Sequence, residues 1–501
     1  MTNLCKKYTT VAAVVLLFLL IGLIPYEHQH LRFTAEGGEV ACIDYEEEEN
    51  TITVNCNASF SDVVQAINDP EILEQEEEGV GQYLLNANLE VADGITFEMT
   101  SNQDGLQYLK VAGENGIIVY GKILINGVTI TSWDISDEEV IQQNINGTTR
   151  RAYIQFAASE GARIINSEFG YLGDVEPGRR GFDLFGGGGQ SHDMLVRGSR
   201  FHDMWMAFYS NGAYNITVDG NEYYNNIKYS LDPHTTTHDM NITNNWIHDN
   251  PIGPICSDRC WDILIEGNLI QDTTTAAIFF SRNMTDSIAR DNHVINAQTG
   301  ILLSESPNNQ VYNNTIEGAT GEGIRLLTPQ LADDGVTVGN VIYDNVISDS
   351  ENGIRATRSH NNIVENIRFS DIEESEYRLL GDSSLIIRGQ HFDNALISED
   401  DSVAGNFVEI VDSGMIEVFE GERDEEEEEA DEEENGDGGD DDGSGNDEEE
   451  QREGELYDTD IDPFRRTLND GDEITVNSSQ NPPPQLSETD DDLINDIEAI
   501  F

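Results

Sequence analysis

The chain repeats itself. From about residue 160, a turn containing Asn followed by a short β-branched strand recurs with a period near 23 residues. Ser199, Asn221, Asn245, Asn268, Asn292 and Asn314 mark successive turns at intervals of 22, 24, 23, 24 and 22, and Asn345 and Asn366 follow, 21 apart. A second short strand opens in each unit near a Gly-Ile pair, as at Gly300-Ile301, Gly323-Ile324 and Gly353-Ile354. Helix-period apolar spacing is missing throughout. A unit this short cannot bury its apolar side alone, so it must stack on its neighbours. The expected fold is all-β, a right-handed parallel β-helix whose coils lie about 4.8 Å apart. Equivalent Asn side chains would then stack as internal ladders. The solenoid is expected over residues 91–400, with opening coils near 116–133 and a C-terminal cap at 401–420. Residues 31–90 read as an N-terminal cap, in which a helix-like stretch around 62–78 covers the first exposed edge.

Charge narrows the range of partners. The 501 residues include 97 acidic and 26 basic ones, a formal net charge of −71. Nucleic acid is excluded as a partner, because no surface here neutralises phosphates. Residues 424–450 alone hold 18 carboxylates, so 421–456 read as a disordered acidic linker ahead of a small segment, 457–501, of unassigned role. Only five lysines accompany 21 arginines. That balance suits a surface hydrated in concentrated salt, where the Debye length falls to about 3 Å.

The ends and the cysteines point outside the cytoplasm. Lys6 and Lys7 precede an apolar run from Val11 to Pro25, flanked by Tyr8 and Tyr26. Residues 1–30 therefore read as an uncleaved membrane anchor or a signal peptide, with the bulk of the chain secreted or at the cell surface. The four remaining cysteines form two local pairs, Cys42/Cys56 and Cys256/Cys260, as in an oxidising compartment. Seven N-x-S/T sequons also occur. No cofactor is expected. Cys256 and Cys260 lack further zinc ligands at suitable spacing, and Asp458-Thr-Asp460-Ile-Asp462 has Pro463 where a calcium loop needs Gly, so calcium is unsupported.

One coil departs from the apolar pattern. In Lys228-Tyr-Ser-Leu-Asp-Pro-His234 a proline removes a ladder hydrogen bond and charge replaces aliphatics. Local rules broken in a single coil point to function. Strand alternation places Lys228, Ser230, Asp232 and His234 on the outer face. Aligning Leu231 with Ile255, Ile278 and Ile301 sets Asp258 beside His234 on the next coil, and stacks Thr235, Arg259, Arg282 and Glu305. An imidazole, a carboxylate and two guanidinium groups would then line one groove, as a linear-polymer site on a solenoid requires. Arg259 and Arg282 are the expected carboxylate binders. Residues 150–290 hold 11 basic against 17 acidic residues, a net of −6 in a chain of −71. That region is suited to an anionic ligand. Met204-Trp205-Met206 reads as core or groove wall, Gly186–Gly189 as a loop bordering the groove, and His192, His202 and His248, each before Asp, as turn residues.

With these residues in view, the sequence resembles the poly(β-D-mannuronate) C5-epimerases, alginate-modifying enzymes on a pectate-lyase-like solenoid, whose motif is Tyr-Gly-x-Asp-Pro-His. Here it stands as Tyr229-Ser230-Leu231-Asp232-Pro233-His234. The likeness runs from Asn166-Ser-Glu-Phe-Gly-Tyr-Leu-Gly173 to Gly323-Ile-Arg-Leu326, about a third of the chain. The resemblance implies an isomerase that inverts C5 of uronates within a polymer, with His234 as base, Tyr229 as candidate for the opposite proton transfer and Asp232 holding the site. Ser230 replaces the motif Gly, and Pro251-Ile252-Gly253-Pro254 stands where the family tends to carry His-Gly. Lys228 is the basic group that compensates. The expected partner is an anionic polysaccharide, contacted by a monomer that touches membrane through its N-terminal segment. A lyase sharing the first proton abstraction and a non-catalytic polysaccharide-binding solenoid are the competing readings.

Overall fold

The computed structural model describes residues 41–389, apart from 77, 78, 331, 333 and 334, together with the strands Ala395–Ile397, Phe407–Asp412 and Met415–Glu420. The expected anchor or signal at 1–30, the acidic linker at 421–456 and the segment 457–501 lie outside the described residues. No helix among the described residues is long and apolar enough to cross a membrane.

The expected right-handed solenoid is what forms. Each coil contributes a strand to each of three faces. One coil comprises Tyr214–Asp219, Glu222–Tyr224 and Tyr229–His234, and the next comprises His238–Thr243, Trp246–His248 and Ile252–Cys256. The first face is a 15-stranded sheet, parallel until its last strand turns back. The second and third faces merge into a 25-stranded sheet because in later coils a single strand, such as Leu269–Phe280 or Val346–Thr357, runs round the corner between them.

Inside, like stacks on like. Ile216 and Val218 lie over Met240 and Ile242, which lie over Ile263 and Ile265. The rings of Phe169, Phe201 and Tyr223 stack at 5.1 and 4.8 Å. The corners carry buried amides. Asn221 donates through its backbone N–H and through Nδ2 to Oδ1 of Asn245, at 2.9 and 3.0 Å, and its Nδ2 also donates back to the Val196 carbonyl at 3.0 Å. The pattern continues through Asn268, Asn292, Asn314 and Asn345. Shorter ladders at the other corners join Asn226 to Asn250, and Asn309 through Asn340 to Asn362. The residue before each member of the long ladder from Asn221 onward is Gly220, Asn244, Gly267, Asp291, Asn313 or Asp344, with φ of +53° to +65°. Only Gly, Asn and Asp enter that conformation readily, which explains the recurring dipeptides.

Two local expectations are corrected. Asn366 is not a ladder residue: it takes the left-handed position itself, at φ +53°, and donates to Asp344 Oδ1 at 3.2 Å, while Ile367 fills the buried place after Asn345. The N-terminal helix is Phe60–Ile67, shorter than the expected helix-like stretch around 62–78. Ser59 and Asp62 form a capping box at its start, and Asn68 ends it in the left-handed conformation at φ +45°. Phe60 and Val63 cover the end of the core, and Thr51–Val54 already pairs with Asn88–Val91 in coil register.

Asn268→Ala removes a buried acceptor from two donors of Asn245 and strands the Ile242 carbonyl. Denaturant unfolding is expected to show a loss of about 3 kcal/mol. Asn366→Gly keeps the left-handed turn and is expected to stay within about 0.5 kcal/mol of the parent.

Candidate functional site

The Asp-Pro-His strand lies between two neighbours on the third face. Before it lies Met206–Asn211, with Tyr209 opposite Asp232 and Asn211 opposite His234. After it lies Ile252–Cys256, with Ile252 opposite Tyr229 and Pro254 opposite Leu231. The last pair corrects the expected alignment by one residue: Ile255 pairs with Phe279, and Ile278 with Ile301.

Strict alternation also fails. Tyr229 packs with Trp205, Met206, Tyr209, Ile252 and Ile255 in a cluster of its own, whereas Leu231, two residues on, belongs to the interior core. Residues two apart in a regular strand share a face, so the strand is irregular at Ser230. Ser230 is fully buried, and its Oγ makes no hydrogen bond among the described residues. Met204 lies in the interior core, while Trp205 and Met206 form the wall of the site.

This apolar surround controls protonation. Asp232 is 1% exposed, and burial pushes its carboxyl up to about 7, opposed by the Ser257 hydroxyl, which donates to Oδ1 at 2.8 Å, and by the charges of Arg180 and Lys228. Burial drives His234 the other way, down to about 4. Asp258 counters that shift, and Arg180, Arg282 and Arg259 reinforce it. The imidazole is therefore neutral at pH 7 and able to accept a proton. Its Nδ1 lies 2.5 Å from Thr235 Oγ1.

Asp258, Arg259 and Arg282 act electrostatically on His234, and Lys228 on Asp232. Asp258 sits on the next coil, bonded to Arg259 at 2.6 Å. Arg259 and Arg282 both take the left-handed conformation at a corner, φ +47° and +50°, one residue out of register with each other, and the Arg259 N–H donates to the Arg282 carbonyl at 2.7 Å. The Lys228 ammonium lies 5.3 Å from the centre of the Tyr229 ring. The disulfide Cys256–Cys260 closes the turn carrying Asp258 and Arg259, and Cys42–Cys56 is also formed.

Sequence reasoning missed Arg180. It arrives from a loop two coils before His234, stacks on the Tyr209 ring at 4.0 Å and pairs with Asp183 at 3.2 Å. The loop is held by buried ionic groups. Arg151, fully buried, donates to the carbonyls of Leu172, Gly173 and Asp203, and buried Asp174 pairs with Arg150 and Arg179. Asp183, opposite Tyr209, is itself pushed up to about 6 by burial. The available signal was Arg179-Arg180 followed by a buried-strand carboxylate, Gly181-Phe-Asp183. His192, His202 and His248 are not turn residues. They lie in strands on the first and second faces, each bonded through Nδ1 to the following Asp and stacked on tyrosine rings, His192 on Tyr214 and the other two on Tyr224.

Residues 181–330 match the family model described as a right handed beta helix region. Among curated proteins, the mannuronan C5-epimerase of Pseudomonas putida is 23% identical over 237 residues, covering 44% of this chain and 45% of that protein. The mannuronan C5-epimerase of Pseudomonas syringae pv. tomato is 24% identical over 249 residues, covering 47% of this chain and 46% of that protein. The chain thus spans about half the length of the curated relatives it matches. Among solved structures, the periplasmic alginate epimerase AlgG superposes with a TM-score of 0.55 at 19% identity, covering 67% of this chain and 85% of that one. The chain is a right-handed parallel β-helix with sequence similarity to the mannuronan C5-epimerases.

Proposed function

We propose that this protein is a polysaccharide C5-epimerase, inverting uronate residues within an anionic polymer as in the conversion of mannuronate to guluronate. The observation that carries this reading is a buried His234 within electrostatic reach of Asp258, Arg180, Arg282 and Arg259. Its similarity to mannuronan C5-epimerases supports the same reaction class. The two disulfides and the periplasmic neighbour support an extracytoplasmic place of action.

In this mechanism the uronate carboxylate docks among the guanidinium groups, and its neutralisation makes the C5 proton removable. His234 takes that proton, and the electron pair of the broken C–H bond moves into the carboxylate as an enediolate. The Tyr229 hydroxyl delivers a proton to the opposite face of C5, and the Lys228 ammonium beside its ring stabilises the phenolate left behind. Asp232, its carboxyl pushed up to about 7 by burial, supports the strand through Ser257 and carries less negative charge toward the substrate than an ordinary carboxylate. The guanidinium groups disfavour imidazolium, so His234 loses its acquired proton readily on turnover.

In deuterated water the protein is expected to incorporate deuterium at C5 of polymannuronate without cleaving the chain. His234→Ala is expected to lower that exchange by about 10²–10⁴-fold. An unsaturated product absorbing in the near ultraviolet would identify a lyase instead, and identical polymer composition with parent and His234→Ala would leave only binding.

The rate is expected to fall as pH drops through about 4, where His234 takes up a proton. Stability has a different signature. Because the folded pKa of Asp232 is raised to about 7, its ionisation weakens the fold as pH rises from 4 through 7. Asp232→Asn removes that penalty, so thermal unfolding should show the variant gaining on the parent between pH 5 and 8. A gap independent of pH would contradict the raised pKa.

A further inference from the structure

The coil after the Asp-Pro-His strand is closed differently from its neighbours. Where other coils turn out of the third face into the first, a hydroxyl donates back to a carbonyl of the departing strand. Thr237 bonds the His234 carbonyl at 2.7 Å, Ser306 that of Ser304 at 2.8 Å, and Thr337 that of Leu327 at 2.5 Å. The register that pairs His238 with Trp261 puts Cys260 at the place of Thr237. There the link is covalent, to Cys256 four residues back, and both cysteines are buried.

This turn is also the one that reaches the site. The Ser257 N–H donates to the Pro233 carbonyl at 3.3 Å, and its hydroxyl donates to Asp232 Oδ1 at 2.8 Å. The Asp258 carbonyl accepts from the Thr236 N–H at 3.2 Å, and the Cys260 sulfur lies 3.4 Å from the Pro233 carbonyl oxygen. The strand ladder gives little help here. Pairing between the two strands stops at Leu231 and Pro254, before Asp232 is reached, and neither Pro233 nor Pro254 has an N–H to offer it. A serine hydroxyl stands two bonds from the backbone, so its place follows the turn. A shift of about 1 Å would carry the Ser257 contact out of hydrogen-bond range.

We propose that the Cys256–Cys260 disulfide is a positioning element of the site: by closing the turn it holds the Ser257 hydroxyl on Asp232, where the proline-interrupted ladder does not. The inference rests on the epimerase reading for the activity that is positioned. The other disulfide, Cys42–Cys56, links the chain on either side of the N-terminal strands Ile43–Glu46 and Thr51–Val54, and supplies the control.

The test measures C5 exchange of polymannuronate and thermal unfolding on the full chain. Cys256→Ala with Cys260→Ala is expected to lower kcat about tenfold, the worth of one hydrogen bond to the site, and Ser257→Ala to lower it equally. Combining them should cost no more than either, because the disulfide acts through Ser257. Cys256→Ala with Cys260→Thr, which restores the hydroxyl link of Thr237, should recover part of the loss and carries the same cycle should the first variant fail to fold. Cys42→Ala with Cys56→Ala is expected to lower stability at unchanged kcat.

A second readout needs no activity. The Ser257 hydroxyl opposes the upward push on Asp232, as do Arg180 and Lys228, while Asp183 adds to it. Withdrawing the hydroxyl raises the folded carboxyl further above its unfolded value. The stability gained on Asp232→Asn should level off above pH 7 in the parent and keep growing beyond pH 7 without the Cys256–Cys260 bond. Additive losses of kcat with an unchanged pH dependence would overturn the positioning role and, with normal exchange in the parent, leave the epimerase standing. A shifted pH dependence in a protein that shows no C5 exchange would refute the epimerase and retain the disulfide's hold on Asp232.

Discussion

The buried amide ladder sets the register of this solenoid, and everything on its outer surface depends on that register. A parallel strand pair has no intrinsic marker that stops it slipping, and a slip of one residue exchanges inside for outside. Asn221, Asn245, Asn268, Asn292, Asn314 and Asn345 remove that freedom, because each buried amide finds all its partners in only one alignment. The left-handed residue before each one turns the chain sharply enough to bring the next strand round. Side chains separated by more than 20 residues in sequence, such as Tyr209, Asp232 and Ser257, thereby become neighbours.

On that fixed frame, the site is made by exchanging polar outer positions for apolar ones. Trp205, Met206, Tyr209, Tyr229, Ile252 and Ile255 cluster around Asp232 and lower the local polarity. The same burial has opposite consequences for an acid and a base, raising Asp232 to about 7 and lowering His234 to about 4. Both are driven toward neutrality. The charges around them are mixed: Arg180, Lys228, Arg259 and Arg282 face Asp258 and Asp183, the latter pushed up to about 6 by burial. In a protein of net charge −71, raising its buried acids in this way lowers the local negative charge.

The ladder was legible in the sequence because its chemistry demands the same residue at each turn, and His234, Asp258, Arg259 and Arg282 could be brought together from spacing alone. The strand register was read one residue off because Pro254 and Ile255 are both apolar and either fits the interior pattern, whereas Pro254 pairs with Leu231 and Ile255 packs in the outer cluster with Tyr229. Arg180 was illegible for a different reason. It reaches the site from a loop whose path is set by Arg151 and Asp174, two buried ions bonded to backbone and to each other's neighbours, and no periodicity records such contacts. Asn366 shows the limit of motif matching: it resembles a ladder residue, yet the position one further along is the buried one, and Ile367 occupies it.

The preference for arginine over lysine acquires a structural meaning at these sites. Lysine on an exposed surface is strongly hydrated and flexible, and a protein covered in carboxylates has little use for it. The cations of the third face sit in a different environment. Arg180 sits over the Tyr209 ring and Arg325 is nearly enclosed, whereas Arg259 stays exposed beside Asp258. A planar guanidinium tolerates such partial desolvation better than an ammonium and can meet a carboxylate with two parallel hydrogen bonds. Partly buried charges are also screened less by salt than exposed ones. The solvating carboxylates and the enclosed guanidinium groups therefore respond differently to ionic strength: salt quiets the exposed acidic surface more than it weakens the partly buried cationic positions.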